Sequence, residues 1–372
     1  MKEVSKPKIG VIGLKGLPAY GGAAAVGENI INHLSDEFDF TIYSVSSHTN
    51  LKSGYWKSCF QIVFKKLPFK KINAVIYYLR SALNALLFKK FDLIHLHHRD
   101  ATFVIPLLKL RYPIVVTTHG MILTSKWIRY KFFFEFEDRY FLKHANFITT
   151  VSLKDKRLVR ELISEEKIMY IPNGVNADIK IESKKENYIS FAAGRMLPDK
   201  GCHTFLEALD LLKVKEKAII MGDLKQNPDY EKKLLQWQEK IGGIKFTGLI
   251  KDKRRLFELI AGSKFFVFPS ENESMSMMLL EVAALNVPII CSDIPENRDI
   301  FNDKEVLFFK VKDAKDLSEK MEFASKNPDK MKEYAVNAYD CLKKKYLWSQ
   351  IAREYKNVFN RFIINGDKYY DT

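Results

Sequence analysis

Cysteine is scarce in this chain of 372 residues: the four present, at positions 59, 202, 291 and 341, stand far apart and form no C-x-x-C pair. That spacing argues against a disulfide framework and against a thiolate zinc site, and it suits a reducing compartment. Long apolar runs are missing as well; none reaches the ~20 residues that a helix needs to cross a bilayer. The opening stretch MKEVSKPKIGVIGL has an apolar centre but no small-residue cleavage site, so it reads as a first strand rather than a signal peptide. The dinucleotide fingerprint is absent too. The first glycine-rich turn is not G-x-G-x-x-G, and the second strand ends Ile42-Tyr43-Ser44-Val45 with no acidic residue, which counts against a dehydrogenase. No helix-turn-helix, zinc or RNA-binding signature is present, so nucleic acid is not an expected partner.

Acidic residues are short in one half only. The net charge is +15; residues 1–180 carry 27 Lys and Arg against 15 Asp and Glu, and residues 51–91 hold nine basic residues and no acidic one. A basic surface of this kind suits nucleic acid, an anionic membrane surface or a phosphorylated substrate. Within it, residues 65–90 combine apolar helical positions with flanking lysines, and Trp127–Phe141 adds aromatic and basic residues. These segments either rest on an anionic leaflet or form buried helices with lysines at their ends.

What the chain has in plenty is a strand–helix rhythm. Strands are expected at Ile9–Leu14, Phe40–Val45, Gln61–Leu67, Leu93–His97, Pro113–Thr118, Asn146–Val151 and Ile168–Ile171, with helical patterns at Ala24–Leu34, Asn73–Phe88 and Lys126–Lys143. After Pro172-Asn173-Gly174 and the charged stretch Ile181–Asn187, the rhythm restarts at Tyr188–Gly194. It continues through Ala218–Met221, Ile244–Phe246, Phe265–Phe268, Pro288–Cys291 and Val306–Phe309. Short apolar strands alternating with helices build parallel sheets, so the expectation is an α/β chain of two doubly wound domains, residues 1–180 and 187–346. A last helical pattern, about 349–364, has no following strand and is expected to pack back on the first domain.

Parallel sheets bind ligands at the carboxyl ends of their strands, so residues there are the candidates. The first strand leads to Gly21-Gly22, which either lets a ligand approach the backbone or simply loosens a helix start. His119-Gly120 follows the strand at 114–118; His119 either donates to a ligand or is a hydrogen-bonded structural histidine. His95 and His97 share a strand face, but no third ligand at a recognisable spacing joins them, so no metal is expected. Arg195 and Lys200 flank the turn after the first strand of the second half and offer a fork and a point charge to phosphate oxygens, unless they are solvated turn cations. The segment Phe268–Glu281 places Glu273 at the expected start of a helix. Glu281 lies eight residues on, on roughly the same face at ~100° per residue. An acid among Leu279, Leu280 and Val282 is costly unless paired, and a ribose diol would pair with it. The bland alternative is a helix-capping acid and one partly exposed glutamate.

Taken together, Gly21-Gly22, His119-Gly120, Pro172-Asn173-Gly174-Val175, Arg195 with Lys200-Gly201, and Glu273 with Glu281 make the chain resemble the retaining glycosyltransferases of family 4 over nearly its whole length. The GT-B fold of that family consists of two Rossmann-like domains facing across a cleft. The resemblance implies transfer of a sugar from a nucleoside diphosphate to an acceptor hydroxyl with retention, without a cofactor. In that scheme Arg195 and Lys200 would hold the donor diphosphate, and Glu281 the ribose. Glu273, with the backbone of Ser274, Met275, Ser276 and Met277, would hold the donor sugar. His119 would line the reaction centre, and Gly21 and Gly22 would bring backbone N–H groups near the phosphates. The start GLKGLPAYGG and Ser125-Lys126-Trp127 resemble bacterial rhamnosyltransferase-like members that build surface polysaccharides, which implies a saccharide or lipid-linked acceptor and a cytoplasmic site on the inner membrane face. The chain departs from the family pattern at Ser274 and Ser276, where an E-G-F-G loop is common. It departs also at Asn286, where glycine is usual, and at Asn176, where aspartate often follows Asn-Gly-Val. A nucleotide-sugar 2-epimerase or a phosphorylase shares the same layout and stands as the alternative.

Overall fold

The computed structural model of the chain describes residues 5–19, 21–68, 72–120, 139–212 and 216–364. Two compact units emerge, one of residues 1–173 with 348–372 and one of residues 174–347. The chain thus changes unit at Asn173–Gly174, ahead of the charged stretch 181–187, and changes back at Leu347–Trp348. Val175 N donates to Tyr346 O at 2.7 Å, so the two crossing strands lie side by side.

The first unit holds an eight-stranded sheet in the order β3-β4-β2-β1-β5-β6-β7-β8. Its strands are β1 (Lys8–Lys15), β2 (Asp39–Val45), β3 (Gly54–Trp56), β4 (Cys59–Phe64), β5 (Leu93–Leu96), β6 (Ile114–Thr118), β7 (Phe147–Thr150) and β8 (Ile168–Tyr170). All neighbours pair in parallel except β3 with β4. That hairpin was not foreseen: β3 is three residues long, turns through Lys57 at φ 49°, and carries no periodicity of its own. The second unit holds a six-stranded parallel sheet in the order β11-β10-β9-β12-β13-β14. These are β9 (Ile189–Arg195), β10 (Ala218–Asp223), β11 (Ile244–Gly248), β12 (Phe266–Phe268), β13 (Ile289–Ser292) and β14 (Leu307–Phe309).

Strands buried on both faces explain the unbroken apolar runs read in the sequence: Ile9, Val11, Ile12 and Ile114–Val116 are all sealed from solvent. Among the parallel strands the order reverses at β1/β5 in the first sheet and at β9/β12 in the second. Helices diverge on either side of that point and leave a crevice at the strands' carboxyl ends.

The final helix, Trp348–Ile363, belongs to the first unit. Its buried face, Trp348, Ile351, Ala352, Tyr355, Val358, Phe359 and Phe362, repeats at helical spacing. The Phe359 ring meets Phe38 edge-on at 5.9 Å, and Lys356 pairs with Glu37. Each such buried side chain contributes ~1.5–3 kcal/mol of transfer free energy, which suffices to tie the chain's end to its beginning. Ser125, Lys126 and Trp127, most of the helical pattern expected over Lys126–Lys143, and Lys70 and Lys71 lie outside the described residues.

Candidate functional site

In the second unit the reversal point is built by two loops, 196–201 after β9 and 269–276 after β12. Gly201, at φ 69°, caps the helix Cys202–Leu211 in the left-handed region. A Cβ on Gly201 would lie 1.9 Å from Pro269 O, so only glycine lets the loops meet. Glu271 N then donates to Asp199 O at 2.8 Å, and Ser292 Oγ donates to Ser270 O from beneath. The outer edge of the loop is held by Glu271, whose carboxylate lies 3.1 Å from Lys312 Nζ and 3.6 Å from His203 Nε2.

The stitched loops bring Lys200 to Glu273: Lys200 Nζ donates to Glu273 Oε1 at 2.6 Å, and Ser270 Oγ donates to the same oxygen at 2.7 Å. Arg195 ends β9 exposed, with no ion pair or hydrogen bond to its guanidinium among the described residues. The site thus presents one free fork, one ammonium engaged by a carboxylate, and a helix N-terminus a turn away. These are the components of an anion cradle.

Glu273 does not open a helix, contrary to the sequence reading. The helix runs Met277–Ala284, and Ser276 is its N-cap, its Oγ accepting from Leu279 N at 3.3 Å. Glu273 and Glu281 therefore do not share a helix face; the loop from Pro269 to Ser276, pinned through Ser270, positions Glu273. Ser274 and Ser276 are not among the residues with positive φ, so the loop conformation does not require glycine there. Asn286, by contrast, adopts φ 53° just past the helix. Asparagine tolerates the left-handed region better than other non-glycine residues, and so it can stand where glycine is usual.

Glu281 is 6% exposed, and its carboxylate meets Lys253 Nζ at 2.6 Å. Burial pushes its pKa above the ordinary glutamate range, opposed by the Lys253 charge and hydrogen bond. Lys253 was not singled out in the sequence, where it sits in the run Lys251-Asp252-Lys253-Arg254-Arg255 and looks like any solvated lysine. Ser270 was also missed; a serine directly after the strand-ending proline was the available signal.

In the first unit, the reversal point gathers histidines. His97 Nε2 lies 2.7 Å from Ala23 O and 2.9 Å from His119 Nε2; His95 Nε2 lies 2.7 Å from Thr117 Oγ1. A carbonyl only accepts, so His97 Nε2 carries the proton and His119 Nε2 faces it as acceptor. Burial drives the His97 pKa down to about 4, and burial plus the neighbouring His97, His98 and His95 drives His119 well below the usual histidine range. Both rings are therefore neutral at pH 7. His97 also links His119 to the helix Gly22–Leu34, whose N-cap is Gly21. A Cβ on Gly21 or Gly22 would meet nothing within 4 Å among the described residues, and Gly21 has ordinary extended dihedrals, φ −137° and ψ 158°. The fold does not demand glycine at either position, so a flexible-turn explanation of the pair loses its force. Among the described residues no three His, Cys, Asp or Glu side chains are grouped to hold a metal ion.

Comparison with known proteins covers both units. Residues 20–179 match the family described as Glycosyltransferase Family 4, and residues 176–340 match Glycosyl transferases group 1. The chain is 28% identical over 242 residues to the N,N'-diacetylbacillosaminyl-diphospho-undecaprenol alpha-1,3-N-acetylgalactosaminyltransferase of Campylobacter jejuni, covering 60% of this chain and 62% of that one. Matches to the first curated relatives span 36 to 62% of their lengths. Among solved structures, sucrose-phosphate synthase from Thermosynechococcus elongatus superposes with a TM-score of 0.85 at 15% identity, covering 97% of this chain and 100% of that one. HepE of Anabaena, solved with UDP-glucose, superposes with a TM-score of 0.78 at 17% identity, covering 95% and 99%. The fold is that of these two-sheet proteins.

Proposed function

Because this chain belongs to the glycosyltransferases, family 4 in its first half and group 1 in its second, we propose that it moves a sugar from a nucleoside-diphosphate sugar to an acceptor hydroxyl, with retention at the anomeric carbon. The observation that carries the reading is the second unit's reversal point, where Arg195, without an ion pair among the described residues, and the Lys200–Glu273 pair stand together on loops joined by Gly201. Arg195 and Lys200 take the diphosphate. As the bond to the anomeric carbon breaks, negative charge grows on the leaving diphosphate, and these two cations stabilise it more in the transition state than in the ground state. Glu281, buried and paired with Lys253, has acceptor positions left for two hydroxyl hydrogen bonds and takes the ribose diol. Glu273 and the backbone of Ser274–Met277 take the sugar hydroxyls.

The leaving diphosphate deprotonates the acceptor on the same face, and charge neutralisation by Arg195 and Lys200 removes the need for a metal ion. His119, neutral, serves as a hydrogen-bonding group of the first unit, and the open backbone at Gly21-Gly22 serves phosphate oxygens.

The acceptor is a saccharide or lipid-linked saccharide of a bacterial surface polymer; support comes from the diphospho-undecaprenol acceptor of the Campylobacter relative and from similar proteins of Staphylococcus aureus and Salmonella typhimurium that are named for capsular polysaccharide and O-antigen chains. An anionic membrane surface on the cytoplasmic side is the proposed place of work. The helix Asn73–Phe88 buries Tyr77, Tyr78, Ser81, Ala82 and Ala85, yet Val75, Leu79, Leu83 and Leu87 are exposed along its other side. An apolar stripe of this kind, near Lys65, Lys66, Arg80, Lys89 and Lys90, suits shallow insertion among anionic headgroups. No helix among the described residues is long and apolar enough to cross a membrane.

The test is nucleoside diphosphate release from a donor panel, measured with and without a membrane-extracted acceptor. Release that depends on acceptor supports transfer. Release without acceptor, accompanied by a free epimerised sugar, points to the 2-epimerase instead.

A further inference from the structure

We infer that Glu273 weakens the hold of the site on the product nucleotide by reclaiming Lys200 from its terminal phosphate. The inference rests on the proposed donor reading and deepens it.

In the ligand-free chain the ammonium assigned to phosphate is already engaged. Lys200 Nζ and Ser270 Oγ converge on a single oxygen of Glu273, at 2.6 and 2.7 Å, and the Lys200 and Glu273 side chains are only 23% and 14% exposed. Arg195 has no such partner among the described residues. The two cations of the cradle are therefore unequal: one is available at once, and the other must change partner.

That change has different consequences for the two nucleotides. In an intact sugar nucleotide the terminal phosphate is esterified to the sugar, and that sugar has hydroxyls to donate. When Lys200 turns to the phosphate, those hydroxyls replace it on Glu273. In the product the sugar has gone, and the terminal phosphate, held only by the anhydride bridge, has one more ionisable oxygen. Only Ser270 then still donates to Glu273, whose charge has lost its cation and faces a more negative phosphate at close range. Recovering Lys200 relieves that state, and the recovery favours departure of the nucleotide. Glu273 thus does opposite things to donor and product, which an ordinary ligand contact does not.

The sign of the effect is the test. UDP, GDP and dTDP are titrated calorimetrically into wild type, Glu273→Gln, Lys200→Met and the double variant; glutamine keeps the shape of the side chain and the Ser270 hydrogen bond. Glu273→Gln should bind the nucleoside diphosphate about five-fold or more tightly than wild type, the scale of one like-charge contact in a partly screened site. The gain should shrink in the Lys200→Met background, where no ammonium remains to be released and only the carboxylate–phosphate repulsion is left to relieve. Affinity in Glu273→Gln equal to or below wild type overturns the inference, and so does a gain that persists undiminished without Lys200. Failure of the donor reading looks different: wild type then binds none of the three nucleotides.

Discussion

Replacing Gly201 with alanine probes the link between backbone geometry and the diphosphate cradle. The residue sits at φ 69°, and a left-handed alanine costs ~1–2 kcal/mol by itself. The added methyl would also lie 1.9 Å from Pro269 O, a backbone atom that no rotamer change can move. The loops after β9 and β12 must then part by about an ångström to restore van der Waals distance. That movement breaks the 2.8 Å bond from Glu271 N to Asp199 O, worth ~1 kcal/mol, and pulls Lys200 from Glu273. We expect Gly201→Ala to lose ~3 kcal/mol of stability and to bind nucleoside diphosphate at least ten-fold more weakly, about 1.4 kcal/mol or more. Calorimetric unfolding and nucleotide titration measure the two quantities. A variant with wild-type stability and wild-type affinity would refute the idea that loop contact at Gly201 builds the site.

Gly22→Ala is the converse case: its Cβ meets nothing among the described residues, so stability should change by less than ~0.5 kcal/mol while transfer falls. Loss of fold without loss of specific activity would reject the ligand-approach role. Arg195→Ala should weaken nucleoside diphosphate binding by ~1.5–3 kcal/mol, and Lys200→Ala by less, because Lys200 gives up an existing partner. Lys253→Met removes the counter-charge of Glu281, whose pKa is already raised by burial. A raised carboxyl stabilises below its unfolded pKa and loses that contribution as pH rises through its folded pKa. The variant should therefore be ~1 kcal/mol less stable than wild type at pH 8, with the difference fading as Glu281 protonates toward pH 4.5. A pH-independent deficit would show that Lys253 acts through packing alone. Turnover should continue in excess EDTA; loss that manganese or magnesium restores would reject the metal-free scheme.

Thirteen of the strands described here coincide with apolar runs legible in the sequence; the central ones are buried on both faces, and even the edge strands keep short apolar runs between polar loops. The hairpin strand Gly54–Trp56 was not legible, being too short to show a pattern and held by pairing with its neighbour. The placement of Arg195 and Lys200 at and after a strand end, and of Glu281 in an apolar helix, was legible in the sequence. The helix start was misjudged by four residues: an acid is favourable near a helix N-terminus, but Ser276 is the better cap and Glu273 is tied to Ser270 in the loop before it. Lys253 and the His97 bridge could not be read at all. Each depends on which distant elements the fold sets side by side, and a lysine in a charged run or a histidine in a cluster carries no mark of that.

The most direct measurement is a thermal-shift panel of UDP, GDP, dTDP and ADP on wild type and on the Arg195→Ala, Lys200→Ala double variant. At ~100 times its dissociation constant, a ligand of the folded state adds ~2.7 kcal/mol of stability. The account predicts that at least one of the four raises the melting temperature of wild type by several degrees, and that the double variant loses the shift while melting normally without ligand. Four nucleotides without effect on wild type, or a shift that survives removal of both cations, would contradict a diphosphate site at the β9/β12 reversal point.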